Sequence, residues 1–430
     1  MRRLAGSLKV ATVIVEFREL RSLSTPGPGV APGYGKGFTL IELLVVIVII
    51  AILAASARAA VPGPIEEKTK QQLMPHLTDL CDWIMTLDVG SGHLKTTHDT
   101  DWSVFINANL ARTLVAGYKI TTNSAYLNEA LRWCDTFVEQ QRPIITSHGE
   151  AAGYWADAGA TGNLYLADGG TAATALAVIS RSTDRVRQQK YRAALERYSL
   201  FVRHGCREDP QGQGRAASPG WIIASGSDRG AVGCGYYRGH RSIAPYIIAS
   251  GVNGGAFHAL LYSITKDSEH ARLSAGAVRW ILAQRQADGQ FPYLIDGQPP
   301  DFTLPLLAMT YCSEGLIAAW THQVDPDLQK QILRETAPCV EWLLRSQNPD
   351  DSWGAPQSYD QQRSPGVVTL LAWHYRAANP DPRIARAAMR YCQFLLVPAN
   401  SKAYGVKHLV RTSGFVGLAV ADLIQPGATF

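Results

Sequence analysis

The strongest constraint on the fold is a short element that recurs six times beyond Ile65. In each case a charged residue is followed directly by an aromatic one, inside a stretch whose apolar residues have helical spacing. A second helical stretch rich in small and aliphatic residues follows after a loop, as in TAATALAVI and GVVTLLAW. This pattern predicts six helical hairpins. The six pairs are Asp82-Trp83, Arg132-Trp133, Arg197-Tyr198, Arg279-Trp280, Glu341-Trp342 and Arg390-Tyr391.

The spacing and composition of the hairpins indicate how they are arranged. Periods of roughly 50 to 80 residues are too irregular for a helical-repeat solenoid. Both helices of a hairpin carry apolar residues, and small residues would let the second helices crowd around one axis. We therefore expect an all-α fold, a closed α/α toroid of six helical hairpins, preceded by a single N-terminal membrane helix.

Two turn sequences carry a resemblance to known toroids. The segments QRQADGQF and RSQNPDDSW, which end at Phe291 and Trp353, resemble the Q-x-x-D-G-x-W turns of α/α-toroid enzymes, including terpene cyclases and glycan-processing proteins. The resemblance implies the fold and leaves the chemistry open. Trp353 either plugs the turn between two helices or contacts substrate.

The N-terminal part contains a segment suited to a membrane. Residues 38–57 would span about 30 Å as a helix, and no charge occurs from Leu43 to Ala57. Basic residues precede it, which predicts a cytoplasmic start and an extracytoplasmic domain in the periplasm or at the cell surface. The expected organisation is a basic leader at 1–37, a membrane helix at 38–61, a Pro/Gly linker at 62–66 and the toroid at 67–425.

Gly37-Phe38-Thr39-Leu40-Ile41-Glu42-Leu43 and the apolar run after it resemble the processing site of type IV prepilins and pseudopilins, over residues 31–61 only. The resemblance implies cleavage after Gly37 by a prepilin peptidase and methylation of Phe38. It also implies that Glu42 neutralises the terminal amine of a neighbouring pilin-like subunit. A carboxylate in lipid is costly unless it meets such a cation.

Other readings of this segment stay open. Ala57-Arg58-Ala59 fits the cleavage site of an ordinary secretory signal, and the segment could also remain as an uncleaved anchor. Pro62 and Pro64 end the helix soon after the membrane, unlike the long stem of a pilin. Assembly with other pilin-like subunits is therefore an open alternative to simple anchoring.

Loop lengths indicate where function lies. Connections inside the hairpins are long, notably at 203–252, whereas those between hairpins are short, as at 265–268. All long loops should therefore emerge on one rim, where the second helices present N-terminal ends that favour anionic ligands.

The longest loop contains SGSDRGAVGCGYYRGHRSIAPY, which is rich in arginine and tyrosine. Arginines suit sugar carboxylates or sulfates, and a tyrosine or histidine can act as general acid or base beside a uronate carboxylate, as in polysaccharide lyases. A solvated or internally paired loop is the alternative. The candidates are Tyr236, Tyr237 and His240 for catalysis and Arg229, Arg238 and Arg241 for substrate binding.

Hydrolysis instead needs two carboxylates across the sugar. Candidates are Asp99, Asp101 and Asp157, with Trp155 as a sugar-stacking platform. Asp99 and Asp101 could equally be helix caps, and Trp155 could equally be a core residue.

The sequence predicts no metal site and no cofactor, because histidines 93, 98 and 148 form no helical pair and no HExxH motif occurs. With 41 basic and 36 acidic residues, no nucleic-acid partner is expected. Cys206 and Cys234 share one loop and either form a disulfide or remain buried thiols.

Three functions follow from these observations. The first is a membrane-tethered polysaccharide lyase or glycoside hydrolase that acts on an acidic glycan outside the cytoplasm by general acid/base chemistry. The second is a non-catalytic pilin-like surface component whose toroid binds glycan or protein. The third is a toroid similar to terpene cyclases or prenyltransferases.

Overall fold

The computed structural model describes residues 67–87, 104–155, 163–237, 239–296, 302–322, 325–378 and 380–430. They belong to one compact unit, Val61–Phe430. The membrane helix, the linker and the processing residues Gly37, Phe38 and Glu42 lie outside the described residues.

Helices follow one another in pairs, in agreement with the predicted hairpins. The pairs are α1 (Glu67–Met85) and α2 (Val104–Thr121), α3 (Ser124–Gln140) and α4 (Leu166–Ser180), α5 (Arg185–His204) and α6 (Ile247–Thr265), α7 (Ser268–Gln284) and α8 (Pro305–His322), α9 (Pro326–Ser346) and α10 (Val367–Ala377), and α11 (Pro382–Leu396) and α13 (Val410–Ile424), with the short α12 (Pro398–Tyr404) inside the last loop. Every predicted charged-aromatic pair lies on the first helix of its hairpin.

The second helices form a closed ring. In the order α2, α4, α6, α8, α10 and α13, each contacts the next, and α13 returns to contact α2. The first helices α1, α3, α5, α7, α9 and α11 pack outside this ring. The predicted α/α toroid is therefore confirmed.

Burial follows the same division into two layers. Nearly every residue of α4, α8 and α13 is buried, whereas α3 and α5 bury only one face. Within the described residues, α6 is the one helix long and apolar enough to cross a membrane. Since 83% of its most apolar 18-residue window is buried, its apolar character belongs to the core of the ring.

Glycines allow the inner helices to approach closely, as their composition predicted. A Cβ atom added at Gly315 of α8 would lie 2.5 Å from the backbone oxygen of Gly251 in α6. One turn further along α6, a Cβ at Gly255 would lie 2.5 Å from the Cα atom of Gly315. Between α13 and α2, a Cβ at Gly414 would lie 2.7 Å from the Asn109 side chain. Larger residues would push these helices apart.

The middle of α6 is a π-helix, Ser250–Phe257, which connects the ring to its loops. Ser250 Oγ accepts a hydrogen bond from the Val232 backbone at 2.9 Å. Asn253 donates to the Leu166 carbonyl at 2.6 Å and accepts from the Tyr198 hydroxyl at 2.8 Å. These bonds fix the start of α4 relative to α6.

Short strands occur in the loops inside the hairpins, and the sequence did not predict them. Strands β1 (Arg142–Ile145) and β2 (Ala151–Tyr154) form an antiparallel hairpin. A second antiparallel sheet has the order β3 (Leu164–Tyr165), β4 (Gly233–Tyr237) and β5 (His240–Pro245), with Tyr236 opposite Arg241.

All seven cysteines fall within the described residues, and all are buried free thiols. Cys206 and Cys234 are therefore not joined. The Cys206 sulfur instead lies 3.3 Å from the Tyr236 hydroxyl.

Candidate functional site

Polar and aromatic side chains from five hairpins lie at the N-terminal end of the inner ring, on the rim with the long loops. Asp168 is in the first turn of α4, Tyr246 immediately precedes α6, and Tyr311 is in the second turn of α8. Arg363 is in the 3₁₀ turn Gln361–Gly366 before α10, and Arg411 is in the first turn of α13. We call these five residues the axial site.

Electrostatic coupling indicates that these side chains lie near one another. Burial raises the pKa of Tyr311; the positive charge of Arg411 opposes this shift and the negative charge of Asp168 adds to it. Burial also raises the pKa of Tyr246, with smaller contributions from Tyr293 and Asp168. Both phenols are therefore protonated at neutral pH and can donate protons or hydrogen bonds.

The two tyrosines differ in their partners. The Tyr246 hydroxyl lies 3.2 Å from that of Tyr293. Tyr311 is 5% exposed and packs edge-on against Phe415, with ring centroids 5.6 Å apart. Within the described part of the chain, its hydroxyl has no hydrogen-bond partner.

Two arginines of the axial site meet at Tyr359. The Arg363 guanidinium lies 4.2 Å from the centroid of the Tyr359 ring, and Arg411 donates to the Tyr359 hydroxyl at 2.8 Å. Arg363 is 4% exposed, and its buried Nε has no partner in the described structure. Burial lowers the pKa of Arg363, and the like charge of Arg411 lowers it further. An anion bound between the two guanidiniums would relieve both effects.

Asp360, three residues before Arg363, is bonded to the start of α8. Asp360 accepts hydrogen bonds from the Leu306 and Leu307 backbone amides at 3.2 and 2.9 Å, in the first turn of α8. It therefore caps this helix.

Below Tyr311 the axis is filled. Arg112 of α2 and Glu314 of α8 form a buried ion pair, and Arg112 also donates to the Thr429 carbonyl at 3.3 Å. A cavity of only about 10 Å³ remains here, between the ion pair and the ring of Phe430. The axis of the ring is therefore closed at this level.

Three sequence candidates are buried. The Tyr236 hydroxyl donates to the Ala216 carbonyl at 2.8 Å, and the ring packs edge-on against Trp221. Trp155 and Trp353 are 2% and 0% exposed, and their indole nitrogens donate to backbone carbonyls at 2.8 Å. Neither ring has a free face for a sugar, and Tyr236 is held by packing, so the structure assigns all three structural roles.

The arginine-rich cluster predicted for the longest loop is divided. His240 and Arg241 lie on β5, where His240 Nε2 is 3.3 Å from an Asp296 oxygen and Arg241 donates to the Ala217 carbonyl. Arg229 is exposed and lines a groove of about 540 Å³ on the outer wall between α5 and α7. The remaining candidates lie outside the described side chains: Tyr237, Arg238, Asp99, Asp101 and Asp157.

Sequence analysis missed the axial site. Its members are spread over some 240 positions of the chain, from Asp168 to Arg411, and no local motif surrounds them. The usable signal was position, because each lies just before a small-residue helix or within its first two turns. The segments LADGG and RSPGVV show this most clearly.

The N-terminal segment matches a known family model. A family model for the prokaryotic N-terminal methylation motif matches residues 34–57 and confirms the nature of this segment. No curated protein resembles the chain in sequence.

Solved structures share the fold of the described domain. Cellobiose 2-epimerase from Spirochaeta thermophila is 14% identical with a TM-score of 0.55, covering 83% of this chain and 98% of that one. An inactive variant of an α-1,6-mannanase from Salegentibacter sp., bound to α-1,6-mannotriose, is 11% identical with a TM-score of 0.52, covering 82% and 99%. A polysaccharide lyase is 11% identical with a TM-score of 0.54, covering 81% and 98%. Identities this low establish the α/α-toroid fold and no shared chemistry.

Proposed function

We propose that this chain is a membrane-tethered, extracytoplasmic enzyme that cleaves an acidic polysaccharide at the axial site. The observation that carries the proposal is the meeting of Arg363 and Arg411 at Tyr359, close enough to Tyr311 for mutual electrostatic effects. Proteins with the same fold include an epimerase of a disaccharide, a mannanase and a polysaccharide lyase, which supports a glycan as substrate.

The arrangement suits elimination beside a uronate carboxylate. Two guanidiniums that neutralise the carboxylate would make the neighbouring C–H bond more acidic. Asp168 is the carboxylate among the five residues of the axial site, and it would accept this proton. The protonated phenol of Tyr311 would donate to the leaving oxygen as the C–O bond breaks and a C=C bond forms.

Hydrolysis has weaker support from the described residues. It needs two carboxylates near the scissile bond, and among the five residues of the axial site Asp168 is the one carboxylate, since Asp360 caps α8. Asp99, Asp101 and Asp157 remain predicted candidates for that second carboxylate.

The comparison with the mannanase also favours elimination over hydrolysis. Its inactive variant carries replacements at two consecutive aspartates. The one consecutive pair in this chain, Asp350 and Asp351, lies in a turn before Trp353, where Asp350 accepts from the Ser352 hydroxyl at 2.6 Å. We therefore place elimination first and hydrolysis second.

The product class tests this proposal. The full-length chain in detergent would be incubated with neutral and acidic polysaccharides, and released oligosaccharides would be analysed by mass spectrometry. Products with an unsaturated uronate support elimination, and hydrated products support hydrolysis. Cleavage of neutral glycans alone would contradict the proposal. Binding without cleavage would also contradict it and would favour the non-catalytic surface component.

The methylation motif supports tethering of the domain outside the cytoplasm after processing by a prepilin peptidase. N-terminal sequencing of the chain from cells that contain such a peptidase tests this. We expect an N-methylated Phe38 as the first residue. A chain that begins at Ala60 would identify an ordinary secretory signal, and an intact leader would identify an uncleaved anchor.

A further inference from the structure

Three side chains with metal-binding atoms meet on the outer wall, apart from the axial site. His148 and Glu150 belong to the turn between β1 and β2, and His204 is the last residue of α5. Their candidate ligand atoms all lie within 4.8 Å of one another. The His148 and His204 rings are 4.4 Å apart between centroids, and His204 Nδ1 is hydrogen-bonded to the Glu150 carboxylate.

Backbone bonds hold this turn against the end of the helix. Ser147 donates to the His204 carbonyl through its backbone amide at 3.2 Å and through Oγ at 2.6 Å. Within the turn, three hydrogen bonds join Thr146 and Glu150. The Thr146 amide donates to the Glu150 carbonyl at 2.9 Å, Thr146 Oγ1 donates to Glu150 Oε2 at 3.2 Å, and the Glu150 amide donates to Thr146 Oγ1 at 3.1 Å. The ligands are therefore positioned by an ordered turn and a helix terminus.

The charges favour a cation here. Glu150 contributes a carboxylate to the cluster. His204 also ends α5, and the C-terminal end of a helix carries partial negative charge. The cation facing the turn is Arg207, which is exposed and can turn away, although its guanidinium now lies against Gly149.

The ligand types select the class of metal. Two imidazoles and one carboxylate suit Zn²⁺ and neighbouring transition metals better than Ca²⁺ or Mg²⁺. Ligand atoms about 2.1 Å from one ion lie at most about 4.2 Å apart. In tetrahedral geometry these atoms lie about 3.4 Å apart. Atoms that now lie within 4.8 Å of one another must therefore approach by up to about 1.4 Å, which needs rotation of the exposed His148 side chain.

We propose that His148, Glu150 and His204 bind one Zn²⁺ ion, with its fourth position open to water. Binding would replace the His204–Glu150 hydrogen bond by two metal–ligand bonds. The ion would join the β1–β2 turn to the end of α5. The sequence-based prediction that the chain has no metal site would then be wrong. The sequence could not reveal this site, because more than 50 residues separate His204 from the other two ligands and the three form no local motif.

Titration of the metal-free chain tests this site without any assay of activity. The full-length chain, without a histidine tag and treated with EDTA, would be titrated with zinc in a calorimeter, and Tm would be measured with and without zinc. We expect one ion per chain and a higher Tm with zinc. Since loss of a residue that only supports a ligand costs 10 to 100-fold, His148→Ala and His204→Ala should each weaken binding by at least about 100-fold.

His76→Ala provides the control, because His76 is an exposed histidine on α1. It should bind zinc as the unaltered chain does. The seven cysteines are buried and do not compete for the ion. Because His148 is exposed, we expect His148→Ala to fold normally. It therefore tests the site even if His204→Ala unfolds the turn. No zinc binding below millimolar concentration, or unchanged binding in His148→Ala, would overturn the proposal.

Discussion

Arg112 of α2 and Glu314 of α8 form an ion pair across the axis of the toroid, with side chains only 1% and 7% exposed. The two helices are the first and fourth of six in the ring, so this pair connects opposite walls. Glu314 Oε2 and Arg112 Nε are buried without partners in the described structure. The pair is therefore the most sensitive polar contact of the core.

Glu314→Gln should lower the free energy of unfolding by about 3 to 5 kcal/mol, because it leaves the Arg112 charge buried and unpaired. Denaturant unfolding of the full chain measures this loss. The double variant Arg112→Met/Glu314→Leu should regain most of it. The control is Glu139→Gln at a carboxylate that is 71% exposed, which should change stability by less than about 0.5 kcal/mol. Equal effects of Glu314→Gln and the control would contradict the importance of the pair.

Gly315→Ala should destabilise the ring by about 1 to 3 kcal/mol, because the added methyl group meets the α6 backbone. Gly276→Ala in the outer helix α7 is the matched control. Its Cβ would have ordinary contact with Gly230 at 3.6 Å, and alanine favours the helix by about 0.5 to 1 kcal/mol. The two variants should therefore differ in the sign of their change in thermal stability. A neutral Gly315→Ala would mean that α6 and α8 are further apart than described.

Stability should fall as the pH decreases below 6.5, in part because of His258. Burial lowers the pKa of His258 to about 3, and His270 adds to this shift. The neutral ring donates from Nδ1 to the Asn253 carbonyl at 2.6 Å. Because the pKa is lower in the folded state, the unfolded state binds the proton first as the pH falls.

At pH 5 this one group should cost about 2 kcal/mol relative to pH above 6.5. The free energy of unfolding of His258→Gln should therefore depend less on pH between 6.5 and 5 than that of the unaltered chain, whatever its stability at neutral pH. Part of the dependence should remain, because burial also lowers the pKa of His270 and His374. Identical slopes in the two proteins would show that His258 titrates alike in both states.

Arg363→Met should weaken binding of acidic oligosaccharides by about 10 to 100-fold, since a hydrogen bond to a charged group contributes about 1.5 to 3 kcal/mol. Binding of neutral oligosaccharides should change little. Arg229→Met, in the outer groove, is the matched control and should leave acidic binding unchanged. Weaker acidic binding in Arg229→Met, with unchanged binding in Arg363→Met, would instead place the acidic-glycan site in the longest loop, as the sequence predicted. Affinities from calorimetry, with Tm as a check on folding, separate the two outcomes.

Much of the fold could be predicted because it depends on periodic features of the sequence. The charged-aromatic pairs identify the outer helices, and the small residues around Gly251 and Gly315 identify the inner ones. Loop lengths then identify the rim that carries the long loops, without any knowledge of the loops' own structure. The small sheets could not be predicted in this way. Strands of two to six residues, such as β3 with β4, depend on pairing across the chain rather than on local pattern.

The site was harder to predict because local composition does not reveal burial. Tyr236 lies in the loop richest in arginine and tyrosine, yet its hydroxyl is bonded to a backbone carbonyl. Arg363 lies in an ordinary turn sequence, yet it is buried with an unpartnered Nε and faces Tyr359. Both outcomes follow from closure of the ring, which decides which loop residues reach the axis.

The most direct test of the axial site is the rate at which Asp168→Asn releases products from an acidic polysaccharide. If Asp168 is the base, its kcat should fall by at least about 100-fold while Tm stays within a few degrees of the unaltered chain. Asp327→Asn, at a carboxylate that is 91% exposed on α9, should keep full activity. Activity of Asp168→Asn within twofold of the unaltered chain would contradict the assignment of catalysis to the axial site.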